Sequence, residues 1–126
     1  MRYKKKLFLI VDDEPDMCWA LEHMLKRSGI LSKRALSGQE AISLMESNHF
    51  HAAFLDAKLP DIEGLDLARR LRDIDPGIYI VMISGYFYQD DDAIREAITE
   101  GLIKDFIGKP FDHDEILKVI KNTNLS

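Results

Sequence analysis

Cysteine is almost missing from the chain. Cys18 stands alone in 126 residues, which excludes an internal disulfide framework and any Cys-based zinc site, and fits a reducing compartment. Dense basic stretches are missing too, beyond Lys4, Lys5 and Lys6, which are read as a solvated lead-in to a strand. With 17 Lys plus Arg against 22 Asp plus Glu the formal net charge is −5, which argues against direct nucleic-acid binding as the main activity. Long hydrophobic runs do not occur either. Leu7 to Val11 is too short for a signal-peptide core and stops at Asp12 and Asp13, so neither secretion nor a membrane span is expected, and the cytoplasm is the expected location. No Ser, Gly or Pro tract divides the chain, and residues 1–126 are read as one domain.

What is present is a rhythm. Five short apolar runs alternate with five helical patterns. Leu7 to Val11, Ala52 to Leu55, Ile78 to Ile83 and Ile103 to Ile107 do not alternate with polar residues, as suits strands covered on both faces of a parallel sheet. Leu31 to Leu36 carries Lys33 and Arg34 and reads as an edge strand. Between the runs, Ala41, Ile42 and Met45 share a helical face, as do Leu67, Ala68 and Leu71, then Ala93, Ile94, Ala97 and Ile98, and last Ile116, Leu117 and Ile120. Ser37 with Glu40, and Asp112 with Glu115, are spaced as capping boxes; Pro15 suits a first helical turn, and Gly29 and Gly101 stand where two helices should end. The expected fold is α/β, a doubly wound (βα)5 unit with a five-stranded parallel sheet of order 2-1-3-4-5. The methionines and most aromatics are assigned to its core, and Trp19 to an exposed or half-buried side of the first helix.

The polar residues that end the apolar runs carry the functional signal. They are Asp12 and Asp13 after the first, Asp56 after the third, Ser84 after the fourth and Lys109 after the fifth. Carboxyl ends of strands line the edge where a doubly wound sheet binds ligands, and the stated order brings the three aspartates to its switch point. Carboxylates so gathered repel one another and should bind a divalent cation or hold raised pKa values; oxygen-only donors favour a hard ion such as Mg²⁺. Acidic residues after strands are also common helix caps, and Asp13 and Glu14 before Pro15 allow that reading. A cap explains neither Ser84 nor Lys109. Together the residues compose an acyl-phosphate site, with Asp56 as nucleophile and Ser84 and Lys109 receiving phosphoryl oxygens. The four histidines, His23, His49, His51 and His113, show no metal-ligand spacing.

The segments Val11-Asp12-Asp13-Glu14-Pro15, Asp56-Ala57-Lys58-Leu59-Pro60-Asp61-Ile62-Glu63-Gly64, Ser84-Gly85 and Asp105-Phe106-Ile107-Gly108-Lys109-Pro110-Phe111 occur in order along the whole chain. In this the chain resembles a response-regulator receiver domain of bacterial two-component signalling, of the chemotaxis-regulator type with flavodoxin-like topology. The resemblance implies that Asp56 is phosphorylated by the phosphohistidine of a sensor histidine kinase or histidine phosphotransfer protein. It implies Mg²⁺ on Asp13 and Asp56, with Asp12 acting mainly through water and the Lys58 backbone carbonyl completing the protein ligands. Ser84 would bond the phosphoryl group, Lys109 would pair with it and beforehand with Asp56, and the Lys109-Pro110 bond would be cis. Ser84 stands where threonine is commoner and Phe106 occupies the switch position, often tyrosine, where it is otherwise a plain core residue. Lys58 and Tyr86 occupy positions that flank the path of the hydrolytic water and so bear on phosphoryl lifetime. The output would be a changed surface on the fourth helix, fifth strand and fifth helix, used for homodimerisation or docking, with no metabolite turned over beyond self-phosphotransfer and autodephosphorylation.

Other functions compete with this one. A receiver-shaped module that binds partners without phosphate is the alternative. A flavin site would need a phosphate loop after the first strand, where Asp12, Asp13 and Glu14 repel phosphate, and a haloacid-dehalogenase-type phosphatase would need an Asp where Lys58 stands. Tyr86, Phe87 and Tyr88 are read as a docking patch or as loop packing, and Asp90, Asp91 and Asp92 as dipole partners of the following helix.

Overall fold

The computed structural model describes residues 6–85 and 92–124. Its elements are β1 (Leu7–Val11), α1 (Pro15–Arg27), β2 (Leu31–Ala35), α2 (Gly38–Ser47), β3 (Ala52–Asp56), α3 (Gly64–Ile74), β4 (Tyr79–Ser84), α4 (Asp92–Thr99), β5 (Asp105–Gly108) and α5 (His113–Asn124). All four strand pairings are parallel, and the order is β2-β1-β3-β4-β5. This is the flavodoxin-like topology expected, with β2 at an edge. Consecutive strand residues point to opposite faces, so each unbroken run feeds two cores. Leu9, Val11, Ala53, Leu55, Ile80 and Met82 pack under α2, α3 and α4. Phe8, Ile10, Ala52, Phe54, Val81 and Ile83 pack under α1 and α5.

Helix ends follow local chemistry. Pro15 begins α1. At the end of α1 Gly29 adopts φ +76°, its N–H donates to Lys26 O and the Ile30 N–H donates to Leu25 O; Gly101 (φ +80°) repeats the pattern with Ile98 and Ala97 at the end of α4. Both are Schellman turns. The Asp112–Glu115 box is reciprocal, at 2.9 and 3.5 Å. The Ser37 box is not. Its hydroxyl accepts from Glu40 N–H (3.2 Å), but the Glu40 carboxylate reaches one residue further back, to Leu36 N–H (2.6 Å). Asp61, from the loop after β3, takes the remaining α2 donors, accepting from Gly38 N–H (2.9 Å) and Gln39 N–H (3.0 Å).

Three expectations change in detail. The last strand begins at Asp105 rather than Ile103, because the Ile103 N–H donates to Ala97 O and is spent on the turn that ends α4. On the short α4 only Ile94 and Ala97 are buried, while Ala93 and Ile98 face solvent. Met45 and Met82 are buried, but Met17 and Met24 only flank the core. Trp19 is 59% exposed, edge-on to His23 at 4.0 Å.

Gly64 is where packing reaches the end of β3. A Cβ there would lie 2.7 Å from Asp56 O and 2.8 Å from Ala57 Cα, both backbone. At Gly29 a Cβ meets nothing within 4 Å, and only the positive φ resists substitution. Gly64→Ala is therefore expected to cost about 2–3 kcal/mol by overpacking, against about 1 kcal/mol for Gly29→Ala. Urea unfolding of the two variants checks the ranking, and equal losses would refute the close approach.

Candidate functional site

Every polar residue singled out at a strand end lies at the carboxyl edge of the sheet. Asp12 follows β1 and extends its pairing, its N–H donating to Ala35 O (3.1 Å), and its side chain is buried. Asp13 is exposed. Asp56 ends β3 with its side chain 11% exposed, and buried Ser84 ends β4. Lys109 is positioned by its own N–H, which donates to Ser84 O at 2.7 Å, and is followed by a cis peptide bond to Pro110. One oxygen from each of Asp12, Asp13 and Asp56 can be chosen such that all three lie within 4.8 Å of one another. Among the described residues this is the one cluster with ligand atoms so placed, and it contains no His or Cys.

The Lys109 ammonium lies among carboxylates. It is 2.9 Å from Asp12 Oδ2, 3.7 Å from Asp56 Oδ2 and 3.9 Å from Glu14 Oε1. The expected pairing with Asp56 is thus the longer contact and Asp12 the shorter one. Asp12 is the more deeply buried carboxylate, so the ammonium goes where an uncompensated charge would be most costly. The other Asp12 oxygen accepts from Glu14 N–H at 2.9 Å. Asp56 Oδ1 faces the Lys58 N–H at 3.4 Å, a long contact. A cavity of about 240 Å³ opens beside Asp56 and is lined by Asp13, Glu14, Lys58, Ser84, Gly85 and Lys109. A larger one, about 430 Å³, lies at the opposite edge among His51, Arg72, Tyr79 and Lys104, far from the carboxylates in topology.

Electrostatics agree with the geometry. Burial raises the Asp56 pKa, and the negative charges of Asp12 and Asp13 add to it; Lys109 and the Lys58 N–H oppose without cancelling. For Lys109 burial pulls downward, but the hydrogen bond and charge of Asp12, with Asp56 and Glu14, outweigh it, and the net shift is upward. An acidic pocket in which neighbouring anions help push the Asp56 pKa up, built from oxygen donors alone, fits a hard divalent cation.

Some of the site was not expected. Glu14 is the N-cap residue of α1 by position, yet its side chain makes no capping hydrogen bond and leans toward Lys109 instead. No sequence signal distinguishes those two uses. The Cys18 thiol donates to Asp12 O at 3.4 Å, and burial, helped by Asp12, pushes its pKa up to about 11, which leaves it unreactive. Phe106 is half-buried against the core, opposite Met82 in the sheet register. Lys58 is exposed. Tyr86, Phe87, Tyr88, Asp90 and Asp91 lie outside the described residues, whereas Asp92 opens α4 and pairs with Arg95 at 3.4 Å. No helix among the described residues is long and apolar enough to cross a membrane.

Comparison with known proteins adds independent support. The family model of the response regulator receiver domain matches residues 8–121. Sporulation initiation phosphotransferase F of Bacillus subtilis is 29% identical over 113 residues, which cover 90% of this chain and 89% of that protein. Other curated relatives are longer, and the chain spans only 23% and 40% of two of them. A CheY-like receiver domain protein from Methanospirillum hungatei superposes with a TM-score of 0.85 at 27% identity, covering 94% of this chain and 93% of its own. Response regulator protein TrrA of Thermotoga maritima, solved in complex with Mg(2+)-BeF, gives 0.81 at 26% identity over 94% of this chain and 98% of that one. The acidic pocket, the strand order that builds it and the family match over nearly the whole length place this chain in the response regulator receiver domain family of two-component signalling.

Proposed function

We propose that this domain is a phosphorylation-driven switch in which Asp56 is the phosphoryl acceptor. The observation that carries this reading is the Asp56 carboxylate, in the lining of the cavity, with Lys109 3.7 Å away and two further aspartates close enough to share a cation. An Asp56 oxygen attacks the phosphorus of a phosphohistidine on a sensor kinase or histidine phosphotransfer protein; the P–O bond forms as the P–N bond breaks, and the freed imidazole nitrogen takes up a proton. Asp12, Asp13, Asp56 and the backbone carbonyl of Lys58 would hold Mg²⁺. When bound, that ion neutralises the charge that gathers on the phosphoryl oxygens. Lys109 and the Ser84 hydroxyl stabilise the same oxygens, Lys109 by charge and Ser84 by hydrogen bonding.

Ser84 and Phe106 form the switch in this reading. Ser84 ends β4 and Phe106 lies in β5, so a hydroxyl drawn toward phosphate can be followed by the neighbouring ring. The output is an altered α4-β5-α5 surface for homodimerisation or partner docking, in the cytoplasm and without direct contact to nucleic acid. Autodephosphorylation ends the signal, at a rate that Lys58 and Tyr86 set in this reading, by their sequence positions two residues past Asp56 and Ser84.

Incubation with Mg²⁺ and a small phosphodonor should add one phosphoryl group to the intact mass, absent without metal and absent in Asp56→Asn. No adduct, with no response to beryllofluoride, would overturn the switch in favour of a phosphate-independent interaction module. Lys58→Ala combined with Tyr86→Ala should speed decay of the adduct roughly three- to fivefold, a barrier lowered by about 0.6–1 kcal/mol; an unchanged decay rate would refute that role.

The raised Asp56 pKa has a sign for stability. A carboxyl raised in the fold is more readily protonated there than in the unfolded chain, so its contribution is lost as pH rises above the ordinary carboxylate range. At neutral pH without metal, Asp56→Asn should raise the melting temperature by roughly 3–6 °C, corresponding to about 1 kcal/mol for a domain of this size. The gain should shrink in acid and with saturating Mg²⁺. A melting temperature that falls at neutral pH would contradict it.

A further inference from the structure

We infer that Glu14 opposes occupation of the phosphoryl pocket, holding down the affinity for the phosphoryl group by competing for Lys109 and by repelling the incoming anion. The inference rests on the proposed phosphoryl chemistry at Asp56.

Glu14 is placed for this and for little else. It occupies the N-cap position of α1, where a side chain ordinarily accepts a helix N–H, but it makes no such bond. Its Oε1 lies 3.9 Å from the Lys109 ammonium, and its residue lines the same small cavity as Asp56 and Ser84. Of the three carboxylates facing Lys109, Asp12 and Asp56 belong to the acidic cluster, where a bound cation would offset their charge. Glu14 lies outside it. Its charge therefore stays when cation and phosphoryl group are both in place, drawing the ammonium outward and repelling the phosphoryl oxygens. Both effects have the same sign. Its side chain is 67% exposed, so the effect is modest and screened by salt.

The test is calorimetric titration of beryllofluoride into the Mg²⁺-saturated protein, for wild type, Glu14→Gln and Glu14→Asp, at low salt and at about 0.5 M salt. Glu14→Gln is expected to bind roughly two- to fivefold more tightly at low salt, with the gain fading at high salt. Glu14→Asp, which keeps the charge, should stay closer to wild type. Mg²⁺ alone should bind Glu14→Gln no more tightly than wild type, because removing an anion cannot favour a cation, so a gain confined to beryllofluoride belongs to the anion. Unchanged or weaker beryllofluoride binding in Glu14→Gln, or a gain that salt does not reduce, would overturn the inference while leaving the Asp56 reading intact. A wild-type protein that ignores beryllofluoride in Mg²⁺ would remove both.

Discussion

The rest of the site depends on an unfavourable interaction, the repulsion among three aspartates with carboxylate oxygens within 4.8 Å of one another. Each carboxylate withdrawn from water costs several kcal/mol unless it is compensated. Lys109 supplies the compensation within the chain. It does so from the far side of the sheet order, since β5 is separated from β1 by β3 and β4, and only its long stem brings the ammonium to 2.9 Å of Asp12. One lysine cannot neutralise three acids, and the residual negative charge is what suits the pocket to a cation. The same lysine is the natural partner of a phosphoryl group, so the resting contacts and the proposed chemistry draw on one cation.

Such a pocket persists because the sheet beneath it cannot relax. The apolar residues of β1, β3 and β4 are essentially buried, covered by helices on both faces, and the aspartates ride on their carboxyl ends. On the β3 side the support is steric as well. Gly64 lets α3 begin directly against the Asp56 and Ala57 backbone, and the Gly64 N–H donates to Ala57 O at 2.9 Å. The stability of two buried cores holds together charges that alone would separate.

Much of this was legible in the sequence because the signals were redundant. Four runs without alternation implied a sheet buried on both faces, and polar residues at run ends implied an edge rich in chemistry, so Asp12, Asp13, Asp56, Ser84 and Lys109 could be placed at one sheet edge from the sequence alone. Less legible were choices among partners that a linear pattern leaves equivalent. Lys109 has two carboxylates within reach, one buried and one partly buried, and its preference for Asp12 follows from relative burial. Glu40 satisfies capping-box spacing whether it bonds Ser37 or Leu36. Asp61 caps α2 from 22 and 23 residues away, which no local motif announces. The start of β5 is hidden for a related reason, as Ile103 is apolar enough for a strand but its N–H serves the α4 turn.

The two flanks of Asp56 are unequally held, and that bears on where a signal would emerge. The loop leaving β3 is closed by a bridge between Lys58 and Glu63, abutted by Gly64, and pinned at Asp61 to the start of α2, where Ile62 packs so close to Gly38 that no Cβ would fit. A change in charge at Asp56 meets a rigid wall there. Around α4 the anchoring is thinner: it has eight residues with only Ile94 and Ala97 buried among them, and Phe106 of the adjoining β5 is half-buried. Densely packed elements transmit force without rearranging, whereas thinly anchored ones adopt a second arrangement at small cost. Under the phosphoryl-acceptor reading, the proposed α4-β5-α5 output surface would thus include the helix with the fewest buried anchors, where a second arrangement would cost least.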